Sequence, residues 1–250
     1  MNYIESLESR TLFSSHALPA APSGRLPEVA RSAAAATRLA PTISTIKFSG
    51  YTWNVRSGGG NPGNNLWSNS VNSVSVDAKG QLHLKVREIL GKWYSTEVFL
   101  SKSLGYGTYQ FDVASRVDLT DRNVTAAGFL YANDSNEYDV EFSKWGNSHS
   151  PTNADFATQP YTAPNAIDYW HESLQPAVST YRIIWTPGKV EIKATQGTKV
   201  LQDWVYTGPN TFAPGAEVFH FNFWINTGGR PASGTEQDYT VQDFKFTKAK

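Results

Sequence analysis

Phe219-His220-Phe221-Asn222-Phe223-Trp224-Ile225 sends Phe219, Phe221, Phe223 and Ile225 to one side of an extended chain and His220, Asn222 and Trp224 to the other. This period of two is the signature of a β-strand with one face in a core. The same alternation recurs on either side of it. Leu82, Leu84 and Val86 share a face, as do Tyr109, Phe111 and Val113. Thr180 to Thr186 and Lys189 to Ala194 read as two strands joined at Thr186-Pro187-Gly188-Lys189. Proline second and glycine third suit a type II turn. About a dozen such strands follow one another from about Thr45 to the end, and no helical stripe interrupts them after Pro41. The expected fold is all-β: one antiparallel β-sandwich.

Residues 1–41 read differently. Ser15 to Pro41 holds four prolines, the alanine run Ala33 to Ala36 and no aromatic residue. Such a segment buries too little apolar surface to offset its ordering entropy, so a disordered leader is expected there and a folded domain over 42–250. Within the leader, Leu7-Glu8-Ser9-Arg10-Thr11-Leu12-Phe13 resembles a short element near the start of many exported bacterial surface proteins. A chance match is the other reading.

Composition excludes several classes. Twenty-two Lys and Arg balance 22 Asp and Glu among 250 residues, which leaves no basic footprint for nucleic acid. No apolar run approaches the roughly 20 residues that span a bilayer. With no cysteine there is no disulfide, thiolate metal site or cysteine nucleophile. The five histidines lack HExxH spacing, and neither a G-x-S-x-G elbow nor a P-loop occurs. No cofactor and no metal are expected. Gly58-Gly59-Gly60-Asn61-Pro62-Gly63 reads as a surface loop or a loop at a cleft rim.

The chemistry lies in Asn136-Glu137-Tyr138-Asp139-Val140-Glu141-Phe142. On a strand, Glu137, Asp139 and Glu141 line up on one surface, where three like charges repel. Local stability does not favour this arrangement. A pair of carboxyls facing one cleft is the equipment of glycoside hydrolysis. A solvated edge strand and a calcium-type carboxylate site are the other readings.

The stretch resembles the E-x-D-x-E signature of glycoside hydrolase family 16, the laminarinase and lichenase family. Leu104-Gly105-Tyr106-Gly107-Thr108-Tyr109, Ala127-Gly128-Phe129-Leu130-Tyr131, Tyr181-Arg182-Ile183-Ile184-Trp185-Thr186-Pro187 and Phe221-Asn222-Phe223-Trp224 resemble further strands of that family, in the same order. The resemblance implies a concanavalin A-like jelly roll with a concave cleft, acting on β-linked polysaccharide with retention. It implies Glu137 as nucleophile, Glu141 as acid/base and Asp139 as helper between them. The absence of an extra residue before the last Glu is similar to the lichenase-like branch. One departure stands out: many relatives carry an arginine two residues after the glutamate of Ser95-Thr96-Glu97-Val98, where this chain has Phe99.

Trp145, Asn222, Trp224, Tyr131 and His220 are the candidate substrate-binding residues, since indole and phenol faces stack on sugar C–H faces. Ser148 to Ser179 shows weak periodicity and reads as a long loop at the cleft, with Tyr161, Tyr169 or Trp170 adding sugar contacts. The expected protein is a monomer, extracellular or at the cell surface, with a polysaccharide as its partner. A non-catalytic carbohydrate-binding module and a structural surface domain are the competing classes.

Overall fold

The computed structural model describes residues 40–250. The leader and its export-like element lie outside these residues, apart from the last two positions. The described chain joins the sandwich at once: Val71 N–H donates to the Pro41 carbonyl and Ile43 N–H to that of Asn69.

Two large antiparallel sheets face each other. The first runs, edge to edge, Thr45–Phe48, Tyr51–Val55, Thr96–Leu100, Val218–Ile225, Val124–Asn133, Asn136–Phe142, Ala154–Thr158 and Ile167–Trp170. The second runs Lys199–Tyr206, Lys189–Gln196, Ser179–Thr186, Gly107–Val113, Gln237–Lys248, Leu82–Ile89 and Val74–Val76. Hairpin-linked strands lie towards the edges of both sheets, while central neighbours such as Thr96–Leu100 with Val218–Ile225 and Gly107–Val113 with Gln237–Lys248 are far apart in sequence, which is the crossing connectivity of a jelly roll. A small hairpin pairs Gly58–Gly60 with Asn65–Trp67. At the expected turn, Gly188 has φ +69°, a conformation that glycine supplies without Cβ strain. Among the described residues no helix is long and apolar enough to cross a membrane.

The inner faces form an aromatic core. Phe219, Phe221, Trp53 and Phe244 meet with ring centroids 4.7–6.4 Å apart. Phe111 reaches across from the second sheet to Phe221 at 5.4 Å. The acidic strand is anchored from beneath by its apolar face. Tyr138 stacks on Phe212 at 4.4 Å and accepts the Phe212 N–H, while Phe142 packs edge-on against Tyr181. Its outward side chains are therefore held on a fixed platform.

Gly128 shows how tight this layer is. A Cβ there would stand 2.7 Å from Phe111 Cζ and no more than 3.1 Å from both Cε atoms. That ring is stacked on Tyr181 and wedged by Phe221, so it has little room to yield. Gly128→Ala is expected to cost about 1–3 kcal/mol through overpacking, read as a lower urea midpoint at unchanged m.

Ser148 to Ser179 corrects the reading as a long loop. It holds two paired strands, Ala154–Thr158 and Ile167–Trp170, which extend the first sheet past the acidic strand.

Candidate active site

On the outer face of the first sheet, strand register arranges side chains in rows. Glu141 stands opposite Ala127 on one side and Asp155 on the other. Beyond Ala127 the row continues through Asn222 to Glu97, and beyond Asp155 to Tyr169. Asp139 lies in a second row with Phe129, His220 and Phe99, and Glu137 stands opposite Tyr131. The predicted triad thus occupies one surface, and Phe129 and Tyr131 share that surface rather than the core.

Asp139 is buried, while Glu137 and Glu141 are half-buried. Gln159 orients the middle acid: its Nε2 donates to Asp139 Oδ2 at 3.0 Å while its Oε1 accepts the Tyr161 N–H. Burial, then the charges of Asp139 and Glu141 and a hydrogen bond to Asp139, push Glu137 well above the carboxylate range. Burial pushes Asp139 up to about 7 against the downward pull of its bonds to Gln159 and Glu137. Burial, then the charges of Asp155 and Asp139, raises Glu141 well above its usual value.

Asp155 is a site residue that sequence reading missed. It is 2% exposed and carries the Trp145 indole N–H on Oδ2 at 3.2 Å. Burial raises it to about 7. Among the described residues no ion pair joins any of these four carboxyls to a Lys, Arg or His. Four acids pressed together without a cation hold fewer than four charges near neutral pH, so some hold protons while others are ionised. That division is what paired acid and base chemistry needs. Among the same residues no group of three His, Asp or Glu could hold a metal ion.

Glu97 is the contrast. Burial alone would raise it, but the His220 hydrogen bond and the Arg56 guanidinium hold it below its usual value. Arg56 Nη1 donates to Glu97 Oε2 at 2.7 Å and its guanidinium lies 4.1 Å over the Trp67 ring. Arg56 is thus the cation beside Glu97. Phe99 instead stacks on His220 at 5.2 Å, and Phe129 stacks on the same ring at 4.8 Å. His220 Nδ1 meets Glu97 Oε1 at 2.9 Å.

The other candidate contacts divide by depth. Trp145 is 37% exposed, and its φ of +50° is a strained conformation for a bulky residue. Tyr131 is half-buried and donates its hydroxyl to Asp134. Trp224 and Asn222 lie on the predicted face but are 2% and 4% exposed. Trp224 offers no open ring face. It packs edge-on beneath Trp145 at 6.0 Å and lies close to Gly63 of the glycine-rich loop. Asn222 Oδ1, Trp224 Nε1 and His220 Nε2 are buried without hydrogen-bond partners. Trp170 corrects the expectation for that position: it points into the core against Phe156, whereas Tyr169 is 37% exposed beside Asp155.

No family model matches the chain, and no curated protein matches it. Solved structures do. A β-1,3-glucanase of Mycobacterium marinum superposes with a TM-score of 0.60 at 18% identity, covering 83% of this chain and 93% of that one. A Bacillus licheniformis β-glucanase gives 0.60 at 19% identity, covering 79% and 92%. A protein of Mycobacterium tuberculosis described as a pseudo β-1,3-glucanase gives 0.60 at 18% identity, covering 84% and 94%. The fold is that of the β-glucanase jelly rolls.

Proposed function

We propose that the chain is a retaining, endo-acting glycoside hydrolase that cleaves a β-linked polysaccharide, with a β-glucan as the favoured class. The observation that carries this reading is the alignment of Glu137, Asp139 and Glu141 along one outward strand face, raised in pKa and, among the described residues, without an ion-pair partner. An ordinary strand gains nothing from that arrangement, whereas a double displacement needs one ionised and one protonated carboxyl. Glu137 attacks the anomeric carbon. Glu141 protonates the leaving oxygen and then deprotonates the incoming water. Asp139, bonded to Gln159 and to Glu137, takes up the proton that Glu137 must lose to become the nucleophile. Trp145, Tyr169 and Tyr131 supply ring faces for sugar stacking. A polymeric substrate supports a location outside the cell as part of this proposal, and a monomer is proposed with it.

A second reading is a carbohydrate-binding protein that keeps the fold without turnover. Its specific support is the similar fold of the protein described as a pseudo-glucanase. Reducing-end release from a panel of soluble β-glucans and galactans separates the two. The hydrolase reading predicts release from at least one β-glucan. Binding across pH 5–8 without release would establish the second reading, and neither would return the chain to a structural role.

A further inference from the structure

The acid/base proposed above has a partner that the E-x-D-x-E pattern does not contain. Asp155 is the direct cross-strand neighbour of Glu141, from a different hairpin arm. Side chains so paired stand about 4.5–5.5 Å apart at Cβ, close enough for two carboxyls to compete for one proton. The pair is not symmetric. Asp155 Oδ2 accepts the Trp145 indole N–H at 3.2 Å, a bond that favours its ionised form. Trp145 is held for this bond by its own backbone: at φ +50° its N–H donates to Ser143 Oγ, and the next N–H, of Gly146, donates to the Arg122 carbonyl. Strain of this kind persists only where the surroundings enforce it.

Building on the hydrolase reading, we propose that Asp155 is a positioning residue that keeps the pair's proton on Glu141, with the Trp145 N–H deciding which of the two carboxyls carries it. The groups facing the pair fit this role. On the acidic strand they are Asp139 and Glu137. From beyond Asp155 comes Tyr169, a phenol that burial holds protonated. Across Ala127 stands neutral Asn222, and only past it lies Glu97, already paired with Arg56 and His220. Among the described residues no Lys, Arg or His forms an ion pair with Glu141, and the charge of Asp155 is one of the causes that raises it.

The test is the pH profile of kcat/KM on a soluble β-glucan for wild type, Asp155→Asn and Trp145→Phe. The alkaline limb reports loss of the Glu141 proton. Asp155→Asn removes the neighbouring charge, so that limb should move down by about one pH unit, a roughly tenfold loss just above the wild-type limb, while the acidic limb stays. Trp145→Phe removes the N–H that favours ionised Asp155, so its limb should move the same way. The double variant should move no further than Asp155→Asn alone. A loss of rate uniform across pH in Asp155→Asn overturns the proposal and leaves the hydrolase reading standing. Carboxyl ¹³C NMR titration of Glu141 decides the point without turnover: its midpoint should fall in Asp155→Asn, and an unchanged midpoint overturns the proposal. If no polysaccharide is cleaved, the hydrolase reading fails, and the titration still tests the pairing.

Discussion

Glu137→Ala is expected to lose glucan hydrolysis by on the order of 10⁴-fold or more, because it removes the proposed nucleophile. Azide should then fill the space left by the side chain. With an activated β-aryl glycoside it attacks directly and gives the α-glycosyl azide. Glu141→Ala is expected to lose turnover of the polysaccharide, whose leaving group needs protonation, yet still react with the activated aryl glycoside through the covalent intermediate. Azide then opens that intermediate and gives the β-glycosyl azide. Product configuration, read by NMR, assigns each residue. The opposite pair of products reverses the roles, and unchanged activity in both variants removes the triad from the chemistry.

The same acids should make the folded protein lose stability as pH rises. Unfolded carboxyls titrate near pH 4, whereas burial pushes Asp139 and Asp155 up to about 7. Between those values the folded state binds more protons than the unfolded state. The linkage slope is then negative, and the stability present below about pH 4 is lost as pH rises through about 7. Asp139→Asn removes one charge from the cluster and keeps the shape. It is expected to be more stable than wild type at pH 8 by on the order of 2–4 kcal/mol, or roughly 5–10 °C in Tm, with the gap closing towards pH 4. Activity should fall in the same variant, since the charge that destabilises the fold serves the reaction. A Tm difference independent of pH would show that Asp139 is ionised throughout this range.

The alternation of Phe219 to Ile225 was sufficient to place His220, Asn222 and Trp224 on the outer face, because a strand's period of two leaves no other choice. The acidic triad was legible for the same reason, and so was the Thr186–Lys189 turn, whose proline and glycine restrict the backbone directly. Depth was not legible. Parity assigns Trp224 to a face but does not reveal that Trp145 and Gly63 cover it, since those contacts come from loops distant in sequence. The strand Ala154–Thr158 escaped notice because small alanines occupy both its faces, Ala154 inward and Ala157 outward, which flattens the hydrophobic contrast. With that strand went Asp155, whose pairing with Glu141 is a matter of register across a hairpin. The role of Arg56 was equally hidden, because it meets Glu97 only when strands 41 residues apart lie side by side.

Glu137 and Glu141 are proposed to cleave a β-linked glycan by double displacement. Proton NMR of the reducing ends released in the first minutes of wild-type hydrolysis of a soluble β-glucan distinguishes this from a single displacement. Two inversions at the anomeric carbon predict that the β-anomer signal appears first and the α-anomer grows in only as mutarotation proceeds. An α-anomer appearing first would exclude double displacement, and a glycan bound but never cleaved would exclude catalysis by the two glutamates.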